Sequence, residues 1–171
     1  MAKKNWTEGE VLYATGTAGV NQNLLQFVAF DTSSASSVTN STTETTVGSV
    51  NVSAGVIQKR AIVLAQCYLN MGRYDTAYGA IAESTSASFV VKVNNVGRGT
   101  VSIGATTEFT SQVGGGDALL TDYNNTVLYA IDESTDFSSQ STVTVTATIA
   151  SVPGNSGNVT AGCSSILILG A

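Results

Sequence analysis

Histidine is absent from all 171 residues, proline and tryptophan occur once each, and cysteine occurs twice. Charge is scarce too: seven basic and twelve acidic side chains make up 11% of the chain, against roughly 25% in an average domain. Each shortage removes a class of function. Without histidine, Ser–His–Asp and Cys–His arrangements lose the base that takes the nucleophile's proton. A serine–lysine variant needs a desolvated lysine, and Lys3, Lys4, Lys59 and Lys92 adjoin no nucleophile motif. Two thiols without an imidazole make a poor zinc site. Seven cations against twelve anions provide no basic face, so no specific nucleic-acid partner is expected. Lys3 and Lys4 alone are candidates for touching nucleic acid or an acidic neighbour. The glycine-rich GGGD at 114–117 lacks the lysine and the strand–helix setting of a phosphate loop. No apolar run reaches the length of a membrane-spanning helix.

What is present is serine and threonine, 43 residues together, arranged with strong alternation. Residues 141–150, STVTVTATIA, place Val143, Val145, Ala147 and Ile149 on one side and threonines on the other. That is a half-buried strand with a threonine-covered outer face. Residues 86–95 repeat the pattern, with Phe89, Val91 and Val93 opposite Lys92 and Asn94, and residues 45–53 alternate less cleanly. Segments 126–132 (TVLYAID) and 163–169 (CSSILIL) are apolar on both sides and read as central strands. Further strands are expected at 10–15, 24–31, 99–104 and 106–111.

Segment 56–70, VIQKRAIVLAQCYLN, suits a strand lined by Val63, Ala65, Cys67 and Leu69, or a helix striped by Ile57, Ala61, Leu64 and Tyr68. Its strand neighbours favour the strand. Residues 74–83 suit a short helix or another strand. Residues 31–46 read as a long mobile loop, 112–117 as a flexible turn, and 153–158, with the single proline, as a firm break. About nine short strands separated by turns predict an all-β chain, a two-sheet antiparallel sandwich. The length favours a jelly roll over the immunoglobulin-like alternative. A tail over residues 1–9 and one domain over 10–171 are expected.

Lys3 and Lys4 are not followed by the apolar stretch of a signal peptide, because Asn5, Thr7, Glu8 and Glu10 intervene. Yet the composition is that of an extracellular protein. A virus particle, made in the host cytoplasm and released by assembly or lysis, reconciles the two; so does a secreted piece already relieved of its leader.

Candidate site residues are few. Asp132, Glu133 and Asp136 form an acidic cluster at the end of an apolar strand, most simply a solvated turn. Their oxygens supply only part of a calcium shell. With Glu108 and Asp122 they are also the candidates for paired-carboxylate chemistry. Tyr74 and Tyr78, with Arg73 beside them, suit a glycan or protein contact, or the tyrosines simply cap the open end of the sandwich. Trp6 lies in the tail, placed to anchor it in a groove. Cys67 and Cys163 sit in apolar runs, as buried thiols or as a disulfide pair.

The tail MAKKNW, the strand STVTVTATIA, the Ser/Thr-rich 31–46 and the terminal SSILILGA together resemble the β-sandwich structural proteins of viruses: capsid jelly rolls, head-decoration proteins and tail-associated domains. The resemblance is one of composition and pattern. It implies a virion protein that is no enzyme and needs no cofactor. It implies association with copies of itself, as trimers, pentamers or hexamers, and binding to other capsid or tail proteins. The alternative is a carbohydrate-binding, adhesin-like module.

Overall fold

A computed structural model describes residues 26–32, 36–57, 60–75, 81–109, 118–154 and 156–170. Nine strands form, and there is no helix among the described residues. They are β1 (Gln26–Asp31), β2 (Ser37–Thr39), β3 (Thr45–Val52), β4 (Ala61–Asp75), β5 (Ile81–Val93), β6 (Val96–Phe109), β7 (Ala118–Asp132), β8 (Ser141–Ile149) and β9 (Ser156–Gly170). One sheet runs β1-β9-β4-β7, with β2 beside β1 on the same edge of β9; the other runs β3-β8-β5-β6. Every pairing is antiparallel. The two-sheet sandwich expected from alternation is therefore present.

The chain changes sheet at six of its eight connections. Only β1–β2 and the β5–β6 hairpin stay within one sheet. The hairpin turns on Asn94 (φ 49°) and Asn95 (φ 68°), the pair of left-handed residues that a two-residue hairpin requires. Asn94 also fastens the turn to β8: its side-chain oxygen accepts the Thr142 N–H at 2.9 Å.

The inward rows are small and branched. β4 contributes Val63, Ala65, Cys67, Leu69 and Met71, and β9 adds Val159, Ala161, Cys163, Ile166 and Ile168. Facing them are Val143, Val145, Ala147 and Ile149 of β8 and Ala87, Phe89, Val91 and Val93 of β5. The strand reading of 56–70 holds from Ala61 onward, and the alternation assigned to 141–150 is observed without a slip. Both β8 and β9 are central in their sheets.

Three expectations need correction. Strand β7, which contains 126–132, is the last strand of its sheet rather than a central one. Residues 31–46 are not one loop, because Ser37–Thr39 pairs with Thr160–Gly162 of β9. Asn40 (φ 52°) locks that short strand, accepting the Val159 N–H at 2.7 Å and donating its own N–H to the Val159 carbonyl at 2.8 Å. Residues 99–104 and 106–111 fall largely within the single strand β6. Candidate strand 10–15 and the turn 112–117 lie outside the described residues.

Hydrogen bonds join the two sheets along both long sides of the sandwich. On one side, Asp122 of β7 accepts the edge N–H of Thr106 at 2.7 Å, and Asn124 donates to the edge carbonyl of Gly104 at 2.9 Å. On the other, Ser36 donates to Val47 of β3 and accepts from Cys163 of β9. At Gly99 of β6 the approach leaves no room for a side chain: a Cβ would stand 2.9 Å from Ala130 Cβ and 3.0 Å from the Tyr129 carbonyl oxygen. Gly99→Ala must therefore shift backbone, and is expected to destabilise by about 1–3 kcal/mol, read as a lower urea midpoint with an unchanged slope.

Candidate functional site

The acidic residues, taken first as a candidate metal or catalytic group, are each occupied separately. Asp132 is buried at the end of β7, with Arg98 Nε 3.2 Å from its Oδ1. The same oxygen accepts the Ser134 N–H, the Ser134 hydroxyl and the Thr135 N–H at 3.0–3.1 Å, and Arg98 also donates to the Thr135 hydroxyl at 3.0 Å. Sequence DEST thus folds back on its own carboxylate as a turn held by aspartate. Glu133 points elsewhere, to Arg60 at 2.9 Å on the surface. Asp136 accepts the N–H and hydroxyl of Ser138, which hold its carboxyl below the ordinary range. Asp122 serves the β6 edge. Glu108 lies on β6 opposite Ala82. Among the described residues, no three histidine, cysteine, aspartate or glutamate side chains gather in one place.

The aromatic candidates fare differently. Arg73 and Tyr74 continue β4, opposite Leu120 and Leu119 of β7, so residues 70–75 are strand and not the start of a polar loop. Tyr78, Trp6, Lys3 and Lys4 lie outside the described residues. Cys67 and Cys163 are brought together: they are direct register partners across β4 and β9, both buried and both free thiols.

The surface that stands out is the outer face of the β1-β9-β4-β7 sheet. Register sets it out in rows. Phe27, Leu169, Ile62 and Ile131 lie side by side across four strands, and Phe30, Leu167, Leu64 and Tyr129 form the next row. Val127 follows opposite Gln66. Tyr68 comes next, stacked on Tyr123 with ring centroids 5.7 Å apart. Tyr68 leans over Gly162, where a Cβ would meet its ring at 2.5 Å. Ile62, Leu64, Leu167 and Leu169 are half-buried by their neighbours. The flanking residues are open, from 41% exposed at Ile131 to 67% at Phe27. No charged residue occupies an outward position between Ile62 and Asn70 of β4 or between Tyr123 and Ile131 of β7. Arg60 and Glu133 stand paired beyond the end of the first row.

The other outer face is built in the opposite way. Thr142, Thr144 and Thr148 of β8, Ser86 and Ser88 of β5, and Thr100, Ser102 and Thr106 of β6 cover it. Its Lys92 is paired with Glu44, which also accepts the Thr146 hydroxyl at 2.7 Å. One sandwich thus carries a hydroxyl face and an apolar face.

With strands about 4.8 Å apart and outward residues about 7 Å apart along each, the apolar rows cover on the order of 400 Å². That is within the range of the largest patch on an ordinary monomer, where such patches are often binding sites. The fifteen-residue strands β4 and β7 extend the whole face to about 50 by 19 Å. This is somewhat more than the roughly 800 Å² per partner of a stable protein–protein interface. The apolar rows would be the centre of such an interface, with Gln66, Asn70, Asn125 and Ser165 as its polar surround. Reading the sequence missed Phe27, Phe30, Tyr68, Tyr123, Val127, Tyr129 and Ile131. The signal was the double-sided apolar pattern of 126–132, which has a second cause besides a central position: an outward face that is itself apolar.

Asp132 supplies the test of this region's electrostatics. Burial pushes its carboxyl up, but hydrogen bonds from Thr135 and Ser134 outweigh that and hold it below the ordinary 3.8. A carboxyl lower in the folded than in the unfolded chain stabilises fully above its ordinary value, and that contribution is lost as pH falls through the folded value. Asp132→Ala is expected to cost about 2–3 kcal/mol at neutral pH by leaving Arg98 and the turn unpaired. It should also flatten the loss of stability below about pH 4, both read from urea unfolding across a pH series.

No protein-family model matches the chain, no curated protein matches it, and no solved structure matches it.

Proposed function

We propose that this chain is a structural building block of a virion, a capsid, decoration or cementing subunit that works by fitting against copies of itself and a larger shell. The observation that carries this reading is the uncharged apolar face of the β1-β9-β4-β7 sheet. The strand order supports it: two four-strand paths that exchange at nearly every connection are what a jelly roll would require. The occupant proposed for the apolar face is a second copy of the chain. A surface without charge is compatible with itself, because no like charges meet when two copies approach about a twofold axis. The serine and threonine side chains of the rest of the surface lose little rotamer freedom when a neighbour covers them.

A carbohydrate-binding reading has one observation in its favour, the exposed Tyr68–Tyr123 stack with Asn70 and Asn125 beside it. Binding on a glycan array that Tyr123→Ala abolishes, with a monomeric protein, would transfer the assignment to that reading.

For the building-block reading, sedimentation or light scattering of the full chain at micromolar concentration is expected to show an oligomer. Replacing Val127 and Tyr129 together by glutamate should weaken association by roughly 30-fold or more while the thermal midpoint stays close to that of the parent, since both side chains are already exposed. A parent protein that is monomeric at every concentration tested refutes it, as does an oligomer indifferent to these substitutions.

A further inference from the structure

Strands β4 and β9 would put Cys67 opposite Ser164 if their register ran on unbroken from Gln66 and Ser165. It does not. A bulge with Ser164 as the extra residue shifts the pairing by one, and Cys67 faces Cys163 instead. Both side chains then point inward, 0% and 1% exposed. Each thiol donates to a carbonyl of its own strand, Cys67 to Ala65 at 3.8 Å and Cys163 to Ser165 at 3.3 Å. Residues directly opposite in an antiparallel pair have Cα atoms about 4.5–5.5 Å apart, inside the span of roughly 4.4–6.8 Å that a disulfide bridges. The backbone of Gly48 on β3 comes down over the pair, so that a Cβ there would lie 3.4 Å from Cys163 Sγ. The thiols therefore lie between the sheets with no third ligand of the usual kinds gathered beside them among the described residues.

We propose that Cys67 and Cys163 are a modification site, a dithiol that hydrogen peroxide converts into a disulfide tying β4 to β9. Peroxide is the oxidant that fits: it is small and uncharged, as entry to a buried apolar site requires. The nearness of the two facing thiols divides the roles: it pushes the Cys67 thiol up and holds the Cys163 thiol down, so Cys163 is the one that loses its proton first. The Cys163 thiolate attacks one peroxide oxygen and the O–O bond breaks. Cys163 becomes a sulfenic acid, and the hydroxide that leaves takes the Cys67 proton as water. The Cys67 thiolate then attacks the Cys163 sulfur and expels hydroxide, which recovers the proton first lost from Cys163. Two thiols and one peroxide give one disulfide and two waters. The proposal is independent of what covers the apolar face, since both sulfurs lie on the other side of the sheet.

The test uses the reduced full-length protein, treated with a small molar excess of hydrogen peroxide at neutral pH, then denatured with iodoacetamide and weighed intact. Loss of two hydrogens with no alkylation is expected, together with a Cys67–Cys163 cross-linked peptide after digestion without reductant. Cys163→Ser under the same dose should leave Cys67 open to alkylation, because no second sulfur then faces it to close a disulfide. Full alkylation of both cysteines in the parent protein overturns the proposal. So do gain of oxygen without a cross-link, and a disulfide that joins two chains rather than two strands.

Discussion

A two-layer sandwich buries one face of each strand, and the pleat forces every second residue onto the other. Nothing within the sandwich can cover both faces of a sheet. Where the outward residues are threonine and serine, as on β8, the constraint is met by water. Where they are phenylalanine, leucine, isoleucine and tyrosine across four neighbouring strands, water is a poor partner. The two outer faces meet this one constraint in opposite ways.

How legible this was depended on which face a pattern reported. In 141–149 the inward valines and outward threonines differ in kind, so alternation identified both the strand and its inner side. In 126–132 both sides are apolar, and periodicity carries no information about which is covered. Only the packing of the second sheet, which covers Leu128 and Ala130 and leaves Val127, Tyr129 and Ile131 open, separates a buried face from an exposed apolar one. Phe27 and Phe30 are three apart, and alternation alone would place them on opposite sides; the irregularity between Phe27 and Ala29 brings both into the outward rows beside Leu169 and Leu167. Cys67 and Cys163 were visible as residues in apolar runs, but their facing depends on the Ser164 bulge, which no local pattern announces.

The acidic cluster illustrates the reverse case. Asp132, Glu133 and Asp136 are close in sequence, yet each is turned to a different partner. Asp132 lies inward because even positions of this part of β7 do, and there it meets Arg98 and its own following turn. Glu133 is one residue further on and exposed, beside Arg60 at the start of β4. Asp122, ten positions earlier on the same strand, supplies the carbonyl-like oxygen that an edge N–H of β6 lacks. These three carboxylates stand at ends and edges of strands, where backbone groups or a guanidinium take them up.

The edges also bear on how the chain can associate. An open sandwich edge offers unpaired N–H and C=O groups to any other strand, and growth along it has no natural end. Here Asp122 and Asn124 take up two β6 groups on one side, and Ser36 bridges β3 and β9 on the other. The proposed self-association uses the apolar face instead, where geometry and not backbone pairing sets the stopping point. A face that meets its own copy about a twofold axis is used up by one partner. Larger rings and attachment to a shell then require other surfaces, and the hydroxyl face, with its single paired lysine, is the extended surface left free for them.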